Sequence, residues 1–459
     1  MINDTIAAIS TPIGAAGIGI IRVSGSAAVS IVERVFRSSR ERKIEDAGTY
    51  RLLHGFIVDK SGDVVDEVLV SVMRGPHSFT AEDVVEINCH GGLIAVRRTL
   101  AAVLEAGARP AEAGEFSKRA FLNGRIDLAQ AESIIDLITA KTEKSLNVAV
   151  NQLEGILSQE IRKMRAQLME LLAHIEAGID FPEHDIEEIS LAMIEERSKE
   201  ILHNIKKLIN TSETGKIFRE GLKTVIAGKP NVGKSSLLNA LLKENRAIVT
   251  DIPGTTRDVI EEIVNIRGIP LKLVDTAGIR ETEDLVEKIG VEKTKEMFAD
   301  ADLIFLMIDA SSGIGQEDKE IFPLARGKKT LVLINKIDIK KETTYKEIEK
   351  YTGRHDIIEM SLLTGQGLEK LEKRIEDIAY AGLVSKQDEL MVSNIRHKHT
   401  LERTACSMEG VISALEEKLP TDCMAIDLKA AWESLGEITG ETVSEDLVDQ
   451  IFSRFCIGK

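Results

Sequence analysis

Cysteine is scarce, with only Cys89, Cys406, Cys423 and Cys456 in 459 residues. Their positions lack metal-ligand spacing, which argues against both a zinc site and a disulfide framework. Aromatic residues are also few, at 4% of a chain that is 43% hydrophobic. Its cores must therefore be aliphatic, as in helices and α/β layers. Positive charge is in deficit: 59 Lys and Arg face 75 Asp and Glu, a net charge of −16. Bulk electrostatics thus oppose nucleic acid and anionic membrane, and any RNA contact needs a local basic patch. No segment reaches the roughly 18 uncharged apolar residues of a membrane span. Met1-Ile-Asn-Asp-Thr-Ile6 has neither the basic region nor the apolar stretch of a signal sequence. A cytoplasmic protein without membrane contact is expected, and roughly 100–200 residues per domain predicts about three domains.

The texture changes along the chain. Residues 1–118 mix short β-like runs (Thr5–Ile9, Gly19–Val23, Glu67–Val72, Val84–Asn88) with helical patterns over Ser26–Phe36 and Leu93–Ala106, an α+β domain. Residues 119–217 turn helical. Leu146, Val150, Leu153, Leu157, Ile161, Met164, Leu168, Leu171 and Ile175 recur at spacings of three and four and predict one long amphipathic helix. A second helical pattern runs from Ile186 to Ile209. Residues 218–380 alternate strand (Thr224–Ala227, Leu271–Val274, Leu303–Ile308, Leu331–Ile334) and helix, which means an α/β domain with a mainly parallel sheet. Residues 381–459 are helical again, with Ser444 a candidate N-cap before Glu445 and Asp446. The α/β domain is therefore expected as an insertion in an all-α domain whose two halves pair.

Chemistry concentrates in the insertion. Gly228-Lys-Pro-Asn-Val-Gly-Lys-Ser-Ser-Leu-Leu-Asn239 follows the apolar run Val225–Ala227 and opens into a helical pattern. Glycines at 228 and 233 let the backbone turn its N–H groups around phosphate oxygens, with Asn231, Val232 and Ser236 completing the cradle. Lys234 brings a positive charge and Ser235 a hydroxyl for Mg²⁺. Asp275-Thr276-Ala277-Gly278 ends the next strand, where an Asp can hold Mg²⁺ through water and a Gly can offer its N–H to a γ-phosphate. Asn335-Lys336-Ile-Asp338 ends another strand. A carboxylate at Asp338 can accept from both N1–H and the 2-amino group of guanine, donors that adenine lacks. Ser361 can support the base. Motifs in this order specify GTP. The glutamine that orients water in small GTPases is missing, since Ile279 follows Gly278. Thr250-Asp251-Ile252-Pro253-Gly254-Thr255-Thr256 lies where a switch segment belongs. Asn88-Cys-His90 reads as strand-end structure rather than a metal cluster, having no third ligand in view.

The whole chain resembles the MnmE/TrmE family of tRNA modification GTPases. Beyond the GTPase motifs, Asp4–Pro12, Ser78–Glu86, Gly114–Gly124 and the terminal Phe455-Cys-Ile-Gly-Lys459 carry the likeness. The resemblance implies a homodimer paired through N-terminal domains that bind formyl- or methylene-tetrahydrofolate. It also implies K⁺-dependent GTP hydrolysis, and modification of C5 of the wobble uridine in certain tRNAs together with a flavin-dependent MnmG/GidA-type partner. Carried over by position, Asn231, Thr250, Ile252 and Thr255 would bind K⁺, and Ser235 and Thr256 Mg²⁺. Glu287 would orient the hydrolytic water, an added cation near the phosphates acting as an arginine finger does. Folate would meet Arg22, Glu86, Arg125 and Lys459, and Cys456 is the family's candidate reactive cysteine. A thiol packed against a helix end is the other reading of Cys456. Ala113 replaces a common proline, Arg125 a frequent lysine, and Leu362 a small residue. The alternative function is a GTP-switch assembly factor for ribosomes or other RNA, which needs neither a folate site nor Cys456. A folate-dependent aminomethyltransferase acting alone would leave the GTPase idle.

Overall fold

The computed structural model describes residues 4–180, 187–245, 262–274, 297–339, 348, 356–380 and 390–459. The chain forms two compact units. One holds the residues up to Ile135 together with Leu435–Lys459, and the other the described residues between Asp136 and Ser434.

The first unit is built on a seven-stranded sheet in the order β3-β4-β5-β6-β2-β1-β7. Its strands are β1 (Ile6–Ile9), β2 (Ile18–Ser24), β3 (Phe36–Ser38), β4 (Arg51–Val58), β5 (Val64–Met73), β6 (Val84–His90) and β7 (Arg109–Pro110). Only the β1–β7 pair is parallel. Alternation sets the faces: Ile21 and Val23 of β2, Val68, Val70 and Val72 of β5, and Val85 and Ile87 of β6 point into one core. Helices α1 (Ala28–Val35) and α2 (Leu93–Glu105) cover it with Ile31, Val32, Val96 and Val103. The opposite face carries Arg22 and Glu86, cross-strand partners in the β2–β6 register. Helices α3 (Glu115–Leu122) and α4 (Leu128–Thr139) follow. The last helix, Glu445–Phe452, starts at Ser444, whose hydroxyl accepts from Leu447 N at 3.4 Å as the N-cap pattern predicts. Its C-terminal extension returns to α3, with Ile457 bridged to Ala113. Gly114 makes this approach possible: it sits at φ +68°, and a Cβ there would lie 2.4 Å from the Phe452 carbonyl oxygen.

The second unit corrects one helix. The apolar period from Leu146 to Ile175 is carried by two helices, α5 (Glu143–Leu153) and α6 (Ile156–Asp180). Gly155 separates them at φ +83°. A left-handed glycine can end one helix and start another without disturbing the spacing of apolar residues, so periodicity alone could not show the break. Helix α7 (Glu187–Glu220) packs along the helix Ile395–Glu416. Lys398 pairs with Glu213 at 2.6 Å and Lys206 with Glu409 at 2.7 Å. The helical residues on either side of the insertion thus meet.

The inserted domain has a six-stranded sheet in the order β13-β12-β11-β8-β10-β9. These are β8 (Leu222–Ala227), β9 (Glu262–Ile266), β10 (Ile269–Leu273), β11 (Leu303–Asp309), β12 (Thr330–Asn335) and β13 (Asp356–Glu359). All pairs are parallel except the edge strand β9 against β10. Strands β11 and β12 are buried at every position, as parallel strands covered on both faces must be. Leu303, Phe305 and Met307 face one core and Ile304, Leu306 and Ile308 the other. After β8 the chain first builds β10 on one side and then β11 on the other. The C-terminal end of β8 is therefore a topological switch point, where open α/β sheets bind ligands.

Candidate functional site

The loop Gly228–Gly233 occupies that switch point, between β8 and the helix Lys234–Asn245. Three of its residues take positive φ: Gly228 at +150°, Asn231 at +60° and Gly233 at +109°. A Cβ on Gly228 would lie 2.6 Å from the Met307 carbonyl oxygen, and one on Gly233 would lie 2.4 Å from Asn335 Nδ2. Glycine is thus required at both corners. The Lys234 ammonium donates to the carbonyls of Gly228 at 2.7 Å and Lys229 at 2.9 Å, which holds it inside the curl of the loop. Burial pushes it below the usual lysine range, against a smaller opposing pull from Glu317. An anion in the loop would relieve that cost, so the loop fits a phosphate. Ser235 and Ser236 are exposed at the helix N-terminus, where backbone N–H groups and the helix dipole favour negative charge.

The guanine-side motifs are tied into this loop. Buried Asn335 donates from Nδ2 to the Val232 carbonyl at 2.9 Å and accepts from Leu362 N at 3.2 Å, linking the phosphate loop to the 361–367 loop. Lys336 donates to the Asn231 carbonyl at 2.9 Å and to Asp309 Oδ2 at 2.7 Å. Burial alone would raise the Asp309 carboxyl, but Lys336 and the Ser311 donors hold it below the usual carboxylate range. Asp338 is exposed at the end of this turn, where its carboxylate can receive two base donors. Fully buried Ser361 accepts from Thr364 N at 3.3 Å and pairs with Gln366 through its own N–H at 3.0 Å, so its hydroxyl closes the loop. The exposed Asn231 side chain is left available while its carbonyl anchors Lys336. Thr250, Asp251, Ile252, Pro253, Gly254, Thr255, Thr256, Asp275, Thr276, Ala277, Gly278 and Glu287 lie outside the described residues. Asp309 escaped the sequence reading. Its signal was the position, the end of a buried strand, which it shares with Asn335.

A second cluster belongs to the first unit. Arg22 donates through Nε to Glu86 Oε1 at 2.8 Å and through Nη1 to the Gly458 carbonyl at 3.2 Å. Its guanidinium lies over the rings of Phe79 (5.2 Å) and Phe116 (5.7 Å). Arg125 lies over Phe79 at 5.1 Å and donates to the Phe79 carbonyl at 2.7 Å. Gly458 sits at φ +94°, and a Cβ there would lie 2.3 Å from the Ile9 carbonyl oxygen. That close approach brings the terminal Lys459 to Arg22. Burial pushes the Lys459 ammonium down and the nearby Arg22 charge adds to the shift, while Cys456 and Glu86 oppose it. Cys456 is exposed rather than packed away. Arg22 and Arg125 thus flank Phe79, and Glu86 and Lys459 lie near Arg22, so that residues separated by up to 437 positions gather with more positive than negative charge. The half-buried lysine fits a carboxylate-bearing ligand for the reason that Lys234 fits a phosphate. Phe79 was missed as an individual residue, although it lies in the stretch Ser78–Glu86. His90 is the end of β6, its Nδ1 hydrogen-bonded to Asp66 at 2.7 Å, and no metal-binding group of three acids, His or Cys occurs among the described residues.

A phosphate loop at the switch point of a mainly parallel sheet, with the Asn335–Asp338 turn tied to it, defines a P-loop GTPase carried inside a larger chain. The family described as "GTP-binding protein TrmE N-terminus" matches residues 5–125, and the "MnmE helical domain" family matches residues 128–456. Proteins called tRNA modification GTPase MnmE are similar over the full length of both chains: 55% identical in Alkaliphilus metalliredigens and 54% in Clostridioides difficile. The counterpart in Geobacillus thermodenitrificans is 52% identical, with 99% of each chain covered. The chain belongs to the tRNA modification GTPase MnmE family. Among solved structures, the G domain of the T. maritima FeoB iron transporter aligns at 29% identity with a TM-score of 0.26, covering 34% of this chain and 98% of that one. No helix among the described residues is long and apolar enough to cross a membrane.

Proposed function

We propose that this protein is a potassium-dependent GTPase that modifies C5 of the wobble uridine in certain tRNAs, working as a homodimer with a flavin-dependent MnmG/GidA-type partner. A formyl- or methylene-tetrahydrofolate supplies the one-carbon unit, and the product carries an aminomethyl or carboxymethylaminomethyl group. One observation carries this reading: the same chain joins a GTP loop to a cation-rich cluster closed by its own terminal Lys459. A bare GTP switch for RNA assembly has no use for the second.

In this reading Lys234 and the loop N–H groups hold the phosphates, and Ser235 with Thr256 holds Mg²⁺. Asn231, Thr250, Ile252 and Thr255 hold K⁺, which supplies positive charge where charge develops during hydrolysis. Glu287 orients water in place of the glutamine that Ile279 replaces. Asp338 reads the base. In the other unit Arg22, Arg125 and Lys459 neutralise the carboxylates of the folate while Glu86 fixes Arg22, and Cys456 stands exposed beside them. Nucleoside analysis of tRNA from cells lacking the gene tests the function: unmodified C5 at wobble uridines is expected, and intact modification would refute it. For the hydrolytic step, Glu287→Ala should keep GTP binding and lose potassium-stimulated turnover. Unchanged hydrolysis in that variant would sink the proposed role.

A further inference from the structure

The turn that carries Phe79 is held by a buried charge. Ser78 donates to the Glu82 carbonyl at 2.5 Å, Glu82 N donates to Thr80 Oγ1 at 3.3 Å, and Ala81 between them takes φ +60°. A non-glycine residue in that region is strained and persists only where its surroundings impose it. Those surroundings come from α3 and the residues after it. Arg119 Nη1 lies 3.3 Å from both Glu82 carboxylate oxygens. Asn123 donates to the Thr80 carbonyl at 2.7 Å, and Arg125 donates to the Phe79 carbonyl at 2.7 Å. Ser24 closes the turn from β2, donating to Glu82 Oε2 at 2.7 Å.

Arg119 is the unusual member. It is 1% exposed, and its other contacts are Asp4 Oδ1 at 2.6 Å, the Asp4 carbonyl at 3.0 Å and Glu115 Oε1 at 2.9 Å. Its Nε has no hydrogen-bond partner. Burying a guanidinium is costly, and well-packed apolar residues often replace buried ion pairs without loss of stability. Stability alone is therefore a poor reason for this arrangement, whereas fixing one geometry is an attested use of such groups.

We infer that Arg119 is a positioning residue for the N-terminal ligand site, acting through Glu82 and aided by Asn123 to hold the Ser78–Glu82 turn so that Phe79 lies against Arg22 and Arg125. The ring and the two guanidinium groups then form one preorganised wall, which a flexible turn would have to assemble at each binding event. This role rests on the reading of the cluster as a tetrahydrofolate site.

The test is calorimetric titration of 5-formyltetrahydrofolate into the full-length protein. Arg119→Ala could unfold the unit, so Glu82→Gln and Asn123→Ala are the informative variants, measured at a temperature where each is fully folded. Each should raise Kd about tenfold, the size of losing one orienting hydrogen bond of this kind. Phe79→Leu should also weaken binding. Adding Glu82→Gln to Phe79→Leu should cost little more, because the turn acts through that ring. A merely structural network would lower the melting temperature but leave Kd of the folded protein unchanged. Tight binding by folded Glu82→Gln and Asn123→Ala would overturn the role alone, as would multiplying effects in the double variant. No binding to the wild-type chain would remove the folate reading and the role with it.

Discussion

The phosphate loop and the cluster around Arg22 both suit an anion, but they are made of different materials. The loop uses contiguous backbone: six residues, two obligatory glycines, and one lysine folded back onto the carbonyls of Gly228 and Lys229. The cluster uses side chains brought from the two ends of the unit, with Arg22 bonded to the carbonyl of Gly458. Backbone N–H groups need only the right φ angles, so a short sequence suffices. Side-chain cations need a sheet, a helix and a returning tail before they meet. A local sequence therefore encodes the first site and the whole fold encodes the second.

The largest expected effect separates the two. Lys234→Ala removes the loop's own cation and should abolish measurable GTP hydrolysis, with nucleotide affinity down about a hundredfold or more. Binding of 5-formyltetrahydrofolate by the same variant should be unchanged. A loss of both would mean that the sites are not independent in composition. Asp338→Asn comes next. A carboxylate that accepts from two base donors cannot be replaced by an amide without leaving one donor opposed, so GTP should weaken about fiftyfold. Xanthosine triphosphate, which carries an oxygen in place of the 2-amino group, should bind in its stead. Competition titrations with the two nucleotides measure the switch, and retained GTP preference would place the base elsewhere.

This contrast also explains what the sequence could and could not reveal. The strands β11 and β12 were legible because buried parallel strands are near-continuous apolar runs, β8 and β10 because their apolar ends lead into the glycine-rich and Asp275 motifs, and the loop because its glycines and lysine are neighbours. Strands β4 and β9, like the short β3, β7 and β13, were not among the expected elements. Each has polar residues interleaved in a way that a short window does not separate from a turn. The break at Gly155 was hidden because the apolar period runs through it. Asn335 was visible as a motif, but its engagement with Val232 and Leu362 was not, since that depends on two loops meeting. Arg22, Glu86, Arg125 and Lys459 came from family resemblance alone, because no spacing rule joins residues at opposite ends of a chain.

Geometry offers a finer cut within the loop. Gly233→Ala would place a methyl group 2.4 Å from Asn335 Nδ2 at a φ of +109°. Strain at such a backbone position costs on the order of 1–3 kcal/mol. The Asn335 tie to Val232 would have to shift as well. Thermal unfolding of the nucleotide-binding unit should move to lower temperature, and GTP affinity should fall with it. An equivalent substitution at Gly313, which sits at φ +68° after the neighbouring strand β11 and where a Cβ meets nothing within 4 Å, carries the backbone strain without the clash and so isolates the contact with Asn335.

The smallest effect tests whether the terminal cluster is built for an anion at all. Lys459 is held below its ordinary value of 10.5 by burial and by the neighbouring charge of Arg22. Its charged form is therefore disfavoured in the folded chain relative to the unfolded one. In the window between the folded and unfolded values the unfolded chain binds more protons, so stability should rise as pH rises through it. An anionic ligand reverses the local balance by stabilising the ammonium. Binding should then take up protons from the buffer in that same window, and affinity should decline as pH climbs. Titrations of 5-formyltetrahydrofolate in buffers of different ionisation enthalpy measure that uptake directly. Lys459→Met, which keeps the length and apolar stem of the side chain, should bind several-fold more weakly and show no uptake. If it bound as tightly as the wild type, with the same proton uptake, Lys459 would have no part in holding the ligand and Arg22 and Arg125 would carry the cluster's charge alone.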